Sequence, residues 1–175
     1  MPSFKYKQKK LFVENTSVLN LAKRNPTPFY LYSGLQLKEN YLNFVKNFKN
    51  INPLICFSVK SNSNPFILKF LGKLGSGADV VSSGELLKAL KSGIKPNKIV
   101  FSGVGKSEEE LKLAIKKKIL LINIESESEA LLVNKISSKM KKKTSIGLRL
   151  NPDVYVNTHK KISTGKAEDK FGLSK

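Results

Sequence analysis

The stretch PLICFSVKSNSNP (53–65) decides how the chain folds: an apolar run ends on a lysine and a string of small polar residues. Residues 53–60 have the continuous apolar pattern of a strand buried on both faces. NPFILKFLGKLG (64–75) follows at once, with apolar residues at helical spacing and a glycine to end it. Working outward, the same strand-then-helix pattern recurs downstream. ADVVS (78–82) reads as a strand. SSGELLKALKSG (82–93) reads as a helix, with Ser82 and Glu85 at capping-box spacing and Gly93 past its end. KIVFSG (98–103), LLINIES (120–126) and TSIGLRLN (144–151) are further strands. Ser107 with Glu110 and Ser126 with Glu129 repeat the capping spacing before the intervening helices, the second of which runs to about Met140.

The strand ends fall at Lys60, Ser82, Gly103, Ser126 and Asn151, some 21 to 25 residues apart. One strand, one helix and two short loops need that length, and repeated units of one period build a parallel sheet. Upstream, FYLYS (29–33) reads as one more strand, followed by a helix over roughly 35–49. Residues 1–28 are less regular and are set apart as an N-terminal segment, with 29–175 as the first part of a barrel domain. A complete (β/α)8 barrel needs roughly 200 to 250 residues. The expectation is therefore α/β, an incomplete parallel (β/α)8 TIM-type barrel whose remainder is absent. An open sheet that ends at Lys175 is the alternative, and it leaves a strandless tail over 152–175.

Composition narrows the classes. The net charge is +19, from 32 basic and 13 acidic residues, yet only Arg24 and Arg149 are arginine. The lysines fall mostly on solvated helix positions, and the runs at 116–118 and 141–143 carry no interleaved aromatics, so no specific nucleic-acid partner is expected. No run of about 18 apolar residues predicts a membrane span, and the basic N-terminus lacks the apolar core of a signal peptide. One cysteine, Cys56, excludes an intramolecular disulfide and fits a cytoplasmic protein. Nothing in the sequence calls for a metal. GKS (105–107) follows a strand, but a P-loop needs glycine five residues before Gly105, and Val100 stands there.

In parallel α/β folds the reactive residues gather at the carboxyl ends of the strands, and Lys60 is there. It is either a surface lysine or an amine that forms an imine with an aldehyde cofactor. The surrounding string separates the two. FSVKSNSNP resembles the cofactor-attachment segment of the fold-type III pyridoxal-phosphate decarboxylases. The resemblance continues in order through TPFYLYS (27–33), GADVVSSGEL (77–86), IVFSGVGKSEEEL (99–111), INIESESE (122–129), LRLNPDV (148–154) and THKKISTGKAEDKFGLS (158–174). Within that family, the last two strings resemble the members that convert meso-2,6-diaminopimelate to L-lysine and CO2 more than the ornithine or arginine enzymes.

The resemblance implies an alanine racemase-like barrel that binds pyridoxal 5'-phosphate, with Lys60 as the catalytic residue holding it. Asp79 matches an acidic residue near that lysine, and Arg149 matches an arginine close to the cofactor. Glu85, His159 and Lys170 are candidates for the active site or the subunit interface. Each has a plainer reading. Asp79 could be a loop residue at a helix N-terminus, Glu85 a cap, and His159 a loop residue with no assignable role. As one of two arginines, Arg149 hints that a planar guanidinium is required. Cys56, four residues before Lys60, reads as a small core residue. The family also implies a homodimer, and a Gly-rich loop, an EPGR-like string and a C-terminal β-domain that are not in this chain. Turnover by these 175 residues alone is therefore not expected. A non-catalytic relative that binds cofactor or a partner is the remaining alternative.

Overall fold

The computed structural model describes residues 3–48, 50–154 and 172–173. The chain divides into two compact units, one up to Pro53 and one from Leu54.

In the first unit an antiparallel meander joins β1 (Phe4–Lys7), β2 (Lys10–Val13) and β3 (Thr16–Ser17). The β1–β2 reversal passes through Gln8 and Lys9, both at positive φ. Helix α1 (Val18–Arg24) follows, then α2 (Gly34–Lys46), which Ser33 caps by accepting the Gln36 amide. The predicted strand over 29–33 is not one. No described residue pairs with it, Tyr30 is exposed, and Ser33 is committed to the cap.

The second unit is a five-stranded parallel sheet in the order β4 (Cys56–Ser58), β5 (Gly77–Val80), β6 (Ile99–Phe101), β7 (Leu121–Ile124), β8 (Ile146–Leu148). Helices α3 (Pro65–Lys73), α4 (Ser83–Lys91), α5 (Glu108–Lys117) and α6 (Glu127–Lys139) make the crossovers. Strand order equals chain order, as in successive βα units of a barrel wall. The strand period of two then gives each face its own chemistry. Ala78, Val80, Ile99, Phe101, Ile122 and Ile124 are fully buried and pack with Leu68, Leu86 and Leu111 of the helices. The opposite face carries Ser58, Asp79, Val100, Asn123 and Gly147, and it is only partly covered. The expected burial of the 53–60 strand on both faces is thus not met: Cys56, Phe57 and Ser58 are all half-buried. On β8 the corresponding Ile146 and Leu148 are exposed.

The predicted caps form, with one refinement. Ser107 and Glu110 make the full reciprocal box. Ser82 and Ser126 accept the amides of Glu85 and Glu129, but those two carboxylates reach one residue further back, to the amides of Val81 and Glu125. Both acidic groups sit at helix N-termini, where the partial positive charge favours them.

Candidate active site

Lys60 lies in the 3-10 turn Val59–Ser61 directly after β4. The polar string builds that turn. Ser61 Oγ donates to the Ser58 carbonyl at 2.7 Å, the Asn62 amide to the Val59 carbonyl at 3.1 Å, and the Asn64 amide to Asn62 Oδ1 at 3.0 Å. Asn64 then caps α3 by accepting the Phe66 amide at 2.9 Å, with Pro65 at the first helical position. Val59 is fully buried and anchors the turn, while Lys60 is exposed. Its ammonium forms no hydrogen bond or ion pair among the described residues.

Asp79 stands opposite Ser58 in the β4–β5 register. Its carboxylate accepts from Ser58 Oγ at 3.3 Å and from Ser102 Oγ at 2.5 Å. Ser102 in turn accepts from Asn123 Nδ2 at 3.0 Å. A polar ladder therefore crosses from β4 to β7 on the open face, and it stops at Gly147, the register partner of Asn123. A Cβ on Gly147 would stand 2.7 Å from Asn123 Oδ1, so the ladder needs glycine there. Cys56 shares this face. Burial pushes its thiol up, the nearby Asp79 carboxylate adds to that, and Lys98 opposes it. A protonated, half-buried thiol agrees with the small-core reading.

Arg149 lies just past β8, its amide donating to the Ile124 carbonyl at 3.0 Å. Its guanidinium reaches Glu125 Oε1 at 3.4 Å, and the other Glu125 oxygen accepts the Gly172 amide at 2.9 Å. The Leu173 amide donates to the Arg149 carbonyl at 2.7 Å and ties the same point. Glu85 is at the N-terminus of α4 with its carboxylate on the Val81 amide at 2.9 Å, which is the capping geometry. Lys60, Asp79 and Arg149 thus lie along the carboxyl edge of one sheet, and Glu85 opens the helix behind it. His159 and Lys170 lie outside the described residues.

Sequence reasoning missed a buried charge group. Lys106, Glu125 and Glu129 are the only charged side chains buried among the described residues. Lys106 belongs to the GKS string set aside as an incomplete P-loop. Gly103 and Gly105, both at positive φ, turn that loop so that its lysine points inward. Two glycines flanking one residue before a lysine at a strand end was the available signal.

An amine unpartnered among the described residues suits an aldehyde, a carboxylate held by two hydroxyls suits a nearby cationic nitrogen, and a guanidinium suits an anionic oxygen. That donor set fits pyridoxal phosphate. The fold and a lysine just past a strand end define a class: parallel β/α proteins with reactive groups at the strand carboxyl ends. The family match makes this specific. Residues 35–175 match the family model of the pyridoxal-dependent decarboxylase, pyridoxal binding domain, and the chain belongs to that family.

Similar proteins agree. The chain is 45% identical over 172 residues to the diaminopimelate decarboxylase of Aquifex aeolicus, covering 98% of this chain and 40% of that protein. It is 47% identical over 174 residues to the Haemophilus influenzae enzyme of that name, covering 99% and 42%. The crystal structure of M. jannaschii diaminopimelate decarboxylase in co-complex with L-lysine superposes with a TM-score of 0.90, at 36% identity, over 98% of this chain and 41% of that one. The expected partial parallel barrel is the barrel-domain fold of those enzymes. The chain spans about two fifths of the length of the relatives it matches.

Proposed function

We propose that this chain is the cofactor-binding part of a decarboxylase that converts meso-2,6-diaminopimelate to L-lysine and CO2. The observation that carries the reading is the exposed Lys60 amine, unpartnered among the described residues, at the same sheet edge as Asp79 and Arg149, in a chain of this family. The substrate rests on likeness. Identity is 45% and 47% with two diaminopimelate decarboxylases over nearly the whole chain, against 28% with the Selenomonas ruminantium lysine decarboxylase over 78% of it.

When bound, pyridoxal phosphate supplies an electron sink for the pair left by departing CO2. Lys60 Nζ would hold it at the aldehyde carbon, and as a free amine the same atom would carry a proton. Asp79, an acceptor fixed by Ser58 and Ser102, holds negative charge on the open face. Arg149, steadied by Glu125, offers donors to an anionic group. The buried layer around Val59 keeps water from reaching the turn from the helix side.

The remaining parts are proposed to come from beyond these residues: the phosphate cradle, the partner for the ring nitrogen, the proton donor and a second subunit. The 175 residues alone are then inactive. The test is CO2 release by the full-length protein with pyridoxal phosphate, offered meso-diaminopimelate, ornithine, arginine and lysine in parallel. Release from diaminopimelate alone supports the proposal. Preference for ornithine or arginine moves the protein to a sister activity, and no release from any substrate leaves a non-catalytic relative. Turnover by the 175-residue chain would refute the claim that it needs the rest.

A further inference from the structure

The three buried charges form one connected group, and both of its arms end on residues of the proposed site. Lys106 Nζ, its side chain 1% exposed, donates to the Gly103 carbonyl at 2.6 Å, the Asn123 carbonyl at 2.6 Å and Glu129 Oε1 at 2.7 Å. All three of its protons are used. One arm runs through Asn123, whose side chain donates to Ser102 and so reaches Asp79. The other runs through Glu129, whose second oxygen accepts the Glu125 amide at 2.8 Å; the Glu125 carboxylate, 4% exposed, then holds Arg149 and the Gly172 amide.

We propose that Lys106 and Glu129 are positioning residues that fix Asp79 and Arg149 for the cofactor. Stability is a poor reason for such a pair, since burying two charges costs about what their attraction returns. In a chain with so many solvated lysines, this ammonium alone among the described residues is buried, and it joins the ends of β6 and β7 to α6. A side chain with every proton committed holds its acceptors in one arrangement, and precise support is what a bound group needs from the residues behind it. The proposal rests on the site assigned above.

The test uses the full-length protein. K106M/E129Q removes both charges and keeps an amide oxygen for the Glu125 N–H. Pyridoxal phosphate is titrated into cofactor-free protein, following the absorbance of the lysine-bound form and its pH dependence, with thermal midpoints taken on the same samples. D79A and R149A are run alongside. We expect K106M/E129Q to melt within a few degrees of the parent, yet to bind cofactor roughly tenfold more weakly, the scale at which outer hydrogen-bond partners act on a bound group. Unchanged affinity and pH profile in K106M/E129Q, with D79A and R149A weakened, overturns the positioning role while the site stands. Unchanged affinity in all three overturns the site, and the positioning role with it. If K106M/E129Q fails to fold, E125Q decides: it keeps the ion pair and weakens only the Arg149 arm, and affinity equal to the parent overturns the proposal.

Discussion

Gly147→Ala is the sharpest probe of the ladder across the open face. The new Cβ would meet Asn123 Oδ1 at 2.7 Å and Leu121 Cδ2 at 3.2 Å. The first distance is well inside van der Waals contact, so the carboxamide must swing away and release Ser102. Overpacking of this kind costs about 1–3 kcal/mol. Asn123→Ala by itself loses one half-buried hydrogen bond to Ser102, worth about 1 kcal/mol. In the double variant the methyl introduced at position 147 occupies space the carboxamide has vacated, and only the milder Leu121 contact remains. The two substitutions should therefore be non-additive, the double variant being less destabilised than the sum by about 1–2 kcal/mol. Equilibrium urea unfolding of the four proteins, followed by far-ultraviolet circular dichroism at constant slope, measures this coupling. Additive costs would refute the reasoning, because they mean Gly147 and Asn123 do not share the space. A G147A protein as stable as its parent would refute it also.

Three further outcomes follow from the site. Lys60→Ala should shift stability by no more than about 0.5 kcal/mol, since the side chain is exposed and unpartnered among the described residues, while abolishing covalent cofactor attachment seen by absorbance; a large loss of stability would contradict its freedom. Asp79→Asn should speed alkylation of Cys56 and move its pH profile down, because burial and then the Asp79 charge raise that thiol; an unchanged profile would separate the two groups. Burial pushes the Glu110 carboxyl up, but the Ser83 and Ser107 amides and hydroxyls outweigh it and hold the group below the usual carboxylate range. A lowered folded value means stability that is present above the unfolded pKa of about 4.3 and is lost as pH falls through the folded value. Glu110→Gln should flatten that acid limb in a pH series of thermal midpoints, and an unaltered limb would mean the contacts with Ser83 and Ser107 carry no proton linkage.

The periodic parts of this fold were legible because each βα unit repeats the same local rules. Ser82, Ser107 and Ser126 each precede a glutamate by three residues, and all three cap a helix. The strand over 29–33 misled because β-rich composition describes a pleated surface, whereas a strand also needs a neighbour, and none lies beside it among the described residues. Lys60 could be placed at a strand end by pattern, but not its turn, which depends on Ser61, Asn62 and Asn64 bonding to backbone in sequence. The buried charges were harder still. Lys106 shares its composition with every surface lysine in the chain, and its inward path comes from two glycine dihedrals that only the folded loop reveals.

The face division explains why one sheet can serve stability and chemistry together. On the helix side, Val80, Phe101 and Ile124 are fully buried and carry no polar atoms beyond the backbone. One residue along each strand, the period of two turns the chain to the open face, where Asp79, Ser102 and Asn123 bond to one another. A slip of one residue in β5 would put Asp79 into the helix layer, and one in β7 would put an isoleucine into the ladder. The apolar layer thus sets the register, and the register places the polar groups. Lys106 adds the one constraint that register cannot supply, because it acts on the strand ends where pairing stops. Substitutions in the apolar layer should therefore harm stability and cofactor binding together, whereas substitutions in the buried charge group should separate them.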